Sequence, residues 1–116
     1  MNFIIKLLVN GLAVYTTAAL LPGVGVENYF EAIIVALILG ILNALVRPIL
    51  VILTIPITVF TLGLFLLVIN AGIIMLADWL LSDFVVNGFW WALLFSIILT
   101  FINSLLDSLI FRDNRN

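Results

Sequence analysis

The chain has 116 residues, of which 66% are hydrophobic and 9% charged, and its mean hydropathy is +1.46. A soluble domain this small buries only about two-thirds of its surface, so water could not hold so much apolar side chain, and the surroundings must be lipid. Cysteine and histidine are absent, which excludes disulfide frameworks, thiolate chemistry and the usual zinc sites. A net charge of −2 with four cations offers no basic face for nucleic acid.

About 20 apolar residues carry a helix across the hydrocarbon core, and four windows meet that length. The first runs from about Phe3 to Leu21 and stops at Pro22-Gly23, a turn signal. Lys6, the apolar run and Thr17-Ala18-Ala19 imitate a secretory leader. The segment recurs later in the chain, however, so it reads as a span. The second window begins near Tyr29 and reaches about Val46, where Arg47-Pro48 interrupts it. Residues 49–61 are apolar but short and broken by Pro56, with Thr54, Thr58 and Thr61 on one helical face. They read as an interfacial or re-entrant connection, with Pro48, Pro56 and Gly63 as its bends. The competing reading lets the second helix run on through Arg47 as a Pro-kinked helix. The third window spans about Leu62 to Leu81. The fourth spans about Phe89 to Ile110, before a polar tail at 111–116.

In a four-span topology Lys6, Arg47, Arg112 and Arg115 fall on one side, and Glu27, Glu31, Asp78 and Asp83 on the other. The positive-inside rule then predicts that both termini are cytoplasmic, in the bacterial inner membrane. Tyr29, Phe30, Trp79, Phe89, Trp90 and Trp91 mark the outer interface.

Sliding the sequence over itself by 60 residues brings Asn10 onto Asn70 and Asn43 onto Asn103, one asparagine from each span. Tyr29-Phe30 falls on Phe89-Trp90. A ladder of small residues, Ala32, Ala36, Gly40 and Ala44, falls on Ala92, Ser96, Thr100 and Ser104. The expectation is an all-α membrane protein, a single domain over 1–116, built from two tandem helical hairpins. Repeat 1 covers about 3–50 and repeat 2 about 62–110, related by a pseudo-twofold axis along the membrane normal.

Small side chains every fourth residue let helices approach closely in lipid. The ladders therefore predict contact between helices two and four near the axis, the alternative being that they face helices one and three. The four asparagines are expected in the cytoplasmic half of the bilayer, as a polar cluster along a solute path or as interhelical glue. Arg47 aligns with Asp107, which predicts an ion pair at the inner ends of helices two and four; independent charges snorkelling to water are the alternative. Asp78 and Glu31 read as solvated interfacial carboxylates.

The run Asn43-Ala44-Leu45-Val46-Arg47-Pro48-Ile49-Leu50 continues through Leu53-Thr54-Ile55-Pro56-Ile57-Thr58 and Thr61-Leu62-Gly63-Leu64-Phe65 to Ile69-Asn70-Ala71. In this run and over nearly its whole length, the chain resembles the bacterial YvlD-like family. These are small four-helix membrane proteins also labelled the phage holin family, or the mycobacterial four-span phage holin superfamily IV. The resemblance implies either membrane permeabilisation by oligomers or a role in cell-envelope stress. It carries no catalytic or ligand residue.

Three function classes follow. A holin would need a helix face polar enough to line a large hole, and none is visible in these spans. An envelope protein acting through helix or lipid packing fits the ladders and the apolar exterior. A small ion or solute channel, built by an oligomer, would use the asparagines and the Pro-broken connection. An enzyme is not expected, since grouped acid-base residues are missing and Ser96, Ser104 and Ser108 sit on the packing stripe. No cofactor or metal is expected. The partners expected are the lipid bilayer and a second copy or other membrane proteins, with no nucleic acid.

Overall fold

The computed structural model describes residues 2–111. Helix α1 covers Asn2–Leu20, strand β1 Val24–Val26, α2 Tyr29–Leu53, α3 Ile55–Phe60, α4 Phe65–Leu80, β2 Phe84–Val86 and α5 Phe89–Phe111. Arg112 and Arg115, with nearly all of the polar tail, lie outside the described residues.

Helix α1 ends where Pro22 removes a backbone donor, just before Gly23. Asn28 caps α2: its Oδ1 accepts from the Glu31 N–H at 2.9 Å, and an acid in the first turn suits the helix dipole. Helix α2 then passes through Pro48 and continues to Leu53, 25 residues in all. The separate connection is therefore shorter than residues 49–61, and the Pro-containing continuous helix describes residues 47–53. The Thr54 hydroxyl donates to the Leu50 carbonyl at 2.7 Å, alongside the Thr54 N–H that bonds the same carbonyl at 3.1 Å. Pro56 sits in the first turn of α3, where a missing N–H costs nothing. The chain reverses through Leu62 and Gly63, both at positive φ, and the Gly63 N–H donates back to the Thr58 carbonyl at 2.8 Å. The Thr61 hydroxyl accepts from the Phe65 N–H as α4 begins. Thr61 thus serves a backbone N–H that lipid would leave unpaired, while the Thr54 and Thr58 hydroxyls lie 3.4 Å apart. No residue of α3 is buried, and Phe60 is 88% exposed.

Three helices are long and apolar enough to cross a membrane, over Phe3–Leu20, Tyr29–Leu53 and Phe89–Ile110. Helix α4 is equally apolar but has 16 residues, about 24 Å at 1.5 Å per residue. The four long helices form a ring in which α1 touches α2 and α5, and α4 touches α2 and α5. The diagonal pairs, α1 with α4 and α2 with α5, have no Cα atoms within 8 Å of each other.

The expected contact between helices two and four, here α2 and α5, is therefore not formed. The outer half of each ladder is buried (Ala32, Ala36, Ala92, Ser96) and the inner half exposed (Gly40, Ala44, Thr100, Ser104). Close approach within the first hairpin comes instead from Gly11. A Cβ there would lie 2.6 Å from Cγ1 of Ile33 and 3.1 Å from its Cα.

Against the all-α expectation, two short strands are present. β1 and β2 pair antiparallel, Val24 with Val86, Gly25 with Val85 and Val26 with Phe84. The Asn87 N–H adds a bond to the Gly23 carbonyl at 2.8 Å. This ribbon closes one end of the ring, and α3 lies at the other. Val24, Phe84 and Val86 face the core, and Phe84 packs against Phe95 with ring centroids 5.5 Å apart. The outer edges of so short a ribbon carry unpaired backbone groups, which hydrocarbon does not tolerate, so this end belongs at an interface with water.

Candidate functional site: a blind polar cavity inside the helix ring

The four asparagines, one on each long helix, line one cavity of about 150 Å³ at the centre of the ring. Twelve of its lining residues form six pairs that are 60 apart in the chain. The pairs are Asn10 and Asn70, Val14 and Ile74, Ala36 and Ser96, Leu39 and Leu99, Gly40 and Thr100, and Asn43 and Asn103; Ile73 and Arg47 complete the wall. The small residues of the ladders thus make room at the centre where they were expected to make contact.

The asparagines occupy two tiers. Gly11 meets Ile33, and the rings of Tyr15 and Tyr29 meet edge to face at 6.1 Å, so residues of α1 and α2 at one level have numbers summing to 44. Asn10 accordingly lies beside Ile34, about 13 Å of helical rise from Asn43. Asn43 and Arg47 stand toward the end that carries α3. Asn10 lies deeper, and the paired lining places Asn70 with it and Asn103 with Asn43.

The hydrogen bonding is local and incomplete. Arg47 donates through Nε to Asn43 Oδ1 at 3.2 Å, one turn away on the same helix. Asn70 Oδ1 and Asn103 Oδ1 are buried without a hydrogen-bond partner. An unmet acceptor in a low-dielectric interior costs free energy on the order of 1–3 kcal/mol. Interhelical glue through these two carbonyls is therefore not what the structure contains. Nor is the expected pairing of Arg47 with Asp107: no ion pair within 4 Å joins them, because α2 and α5 occupy opposite corners of the ring.

Ser96 and Thr100 turn their hydroxyls inward along their own helix, donating to Leu93 and Ser96 carbonyls at 2.8 Å each. They satisfy themselves and leave the space to the asparagines. Toward the ribbon the core is solid: Thr17, Val35, Ala77, Phe84 and Phe95 are all at most 1% exposed. The cavity is blind at that end. Toward α3 it opens past Asn43, which is exposed, and Arg47.

A second, more apolar groove of about 390 Å³ runs along the seam between α1 and α2. Phe3, Lys6, Leu7, Leu37, Ile41 and Ala44 line it, and it shares Asn10, Ala36 and Gly40 with the central cavity. Neither lining includes a carboxylate. The acids gather at the ribbon end instead, with Glu27 and Asp83 beside the strands. Pro56 and Gly63, the expected bends, line neither space; they shape the turn between α3 and α4. The groove was not visible in the sequence, because which apolar face stays uncovered depends on the order of helices around the ring.

A ring of apolar helices with a greasy exterior defines an integral membrane protein. The chain belongs to the family of the mycobacterial 4 TMS phage holin, superfamily IV, whose model matches residues 1–105. It is 38% identical over 104 residues to the uncharacterized membrane protein YvlD of Bacillus subtilis, covering 89% of this chain and 87% of that protein. It is 34% identical over 117 residues to the uncharacterized protein SCO3922 of Streptomyces coelicolor, covering 92% of this chain and 94% of that one. No solved structure matches.

Proposed function

We propose that this chain is a stably packed four-span protein of the bacterial cytoplasmic membrane, acting in the envelope by holding lipid, and not by opening a large hole. One observation carries the reading. The polar cavity that reaches the middle of the bundle is blind, stopped by a packed core under the ribbon. The holin activity named in the family's description calls for a water-filled lumen, and lining one with these apolar helix faces would place hydrocarbon side chains against water.

The ribbon register supports two equivalent hairpins about an axis along the membrane normal. Gly25 opposes Val85, its counterpart 60 residues on, while Val24 and Val26 oppose Val86 and Phe84, so one twofold operation exchanges the strands. Lys6 and Arg47 lie at the end away from the ribbon, which supports placing that end, with both termini, in the cytoplasm. Helix α4 completes its crossing with the turn before it and Leu81 after it.

Reconstitution in sealed liposomes loaded with a small ion and a large dye tests the reading. Retention of both is the expected result. Release of the large dye overturns it in favour of a holin, and selective ion flux overturns it in favour of an oligomeric channel.

A further inference from the structure

Resting on the reading of a blind, lipid-holding bundle, we propose that the central cavity and the α1–α2 groove together form a binding site for one anionic phospholipid. Its headgroup carries hydroxyls, as a phosphoglycerol does.

Each part of the ligand answers to something in the fold. The buried carbonyls of Asn70 and Asn103 lack a donor, and a hydroxylated head supplies donors. Lys6 lines the groove and Arg47 the cavity mouth, while neither space has a carboxylate, so a phosphate diester is the complementary charge. The groove wall of Phe3, Leu7, Leu37 and Ile41 suits an acyl chain. The two spaces meet at Asn10, Ala36 and Gly40, where the missing side chain of Gly40 leaves α2 thin. A Cβ at Gly40 would meet nothing within 4 Å, so that passage is open space. A zwitterionic choline head has no hydroxyl donor and brings its own cation. A bare phosphate monoester has charge but no glycerol hydroxyls.

The test uses the full chain purified in detergent, with bound lipid counted by native mass spectrometry. It is titrated in turn with dioleoyl-phosphatidylglycerol, dioleoyl-phosphatidylcholine, dioleoyl-phosphatidic acid and free sn-glycerol 3-phosphate. Phosphatidylglycerol is expected to bind at one per chain and at least tenfold tighter than the other three. Gly40→Leu, which fills the junction while keeping every polar group, is expected to remove that preference without lowering the Tm measured in detergent alone. Asn70→Leu is expected to weaken phosphatidylglycerol about tenfold and leave phosphatidic acid unchanged.

Equal binding of phosphatidylglycerol and phosphatidylcholine overturns the proposal. So does a preference that survives Gly40→Leu, which would put the lipid on the outer surface, or tight binding of the free phosphate ester. Dye retention in liposomes, read on the same preparation, separates the two ideas. Tight vesicles without lipid preference sink the site alone, and large-dye release sinks the blind bundle beneath it.

Discussion

The indole of Trp91 rests on the backbone of Gly23, so closely that a side chain on the glycine would occupy the ring's own space. Trp91 belongs to α5 and Gly23 to the turn after α1, so the contact fastens one hairpin's loop to the other hairpin's helix. Glu31, 60 residues before Trp91, approaches Asp83, 60 residues after Gly23. The same corner of the fold is thus occupied once by a tight apolar contact and once by a pair of acids.

That contact predicts a destabilising Gly23→Ala. The indole is rigid and cannot swing aside as a flexible chain would, so the loss should be about 1–3 kcal/mol, as for other overpacked sites. Thermal unfolding in detergent reads it as a fall in Tm. Gly23→Ala combined with Trp91→Leu should recover part of the loss, because the two residues share one space. Strictly additive effects would mean that the glycine is needed for its backbone and not for the indole.

Two other glycines should behave oppositely. At Gly11 a Cβ strikes both the side chain and the backbone of Ile33, so Gly11→Ala must push α1 and α2 apart and should cost about 1–3 kcal/mol. At Gly40 nothing stands within 4 Å, and replacing a helical glycine by alanine should gain up to about 1 kcal/mol. Side-by-side melts of the two single variants decide the matter. A Gly40→Ala variant as damaged as Gly11→Ala would show the third ladder position packed against a neighbour after all.

Much of this is legible in the amino-acid sequence. The apolar helices, the charged ends and the convergence of four asparagines follow from hydropathy and from one 60-residue offset, since residues 60 apart line one cavity. The ladders are ambiguous for a physical reason. Small side chains permit close approach and equally permit a void, and only the order of helices around the ring decides between them. That order also separates Arg47 from Asp107. The ribbon was missed because Val24-Gly25-Val26 and Phe84-Val85-Val86 are each three residues long, too short for an alternation to register. Their equivalence across the offset was the one available signal. Pro48 misled in the opposite direction: α2 runs through it, where a break was the simpler expectation.

Phe84 predicts what holds the cavity shut. Its side chain is fully buried against Phe95, and it is the largest residue of the ribbon. Phe84→Ala should cost about 3 kcal/mol or more through the void it leaves. If the ribbon is the seal, liposomes carrying this variant should leak small ions while still retaining a large dye. Val85→Ala, on the outward face of the same strand, should change neither stability nor leakage appreciably. Equal leakage from the two variants would remove the ribbon from the role of plug.

Asn103 offers the sharpest contrast of sign. Were its amide bonded across helices, as polar residues in lipid often are, Asn103→Leu would cost on the order of 1 kcal/mol. Its carbonyl is instead buried and unpartnered, so removing it relieves a desolvation cost of about 1–3 kcal/mol, offset in part by the fit of a bulkier side chain. Asn103→Leu should therefore raise the Tm in detergent without added lipid. The stabilisation that phosphatidylglycerol confers on the natural chain should shrink in the variant, since a ligand stabilises only through what it binds. Asn43→Leu serves as the reference, because its carbonyl already accepts from Arg47, and there the Tm should fall. A lower Tm for Asn103→Leu, with the lipid increment intact, would return this asparagine to the role of structural glue.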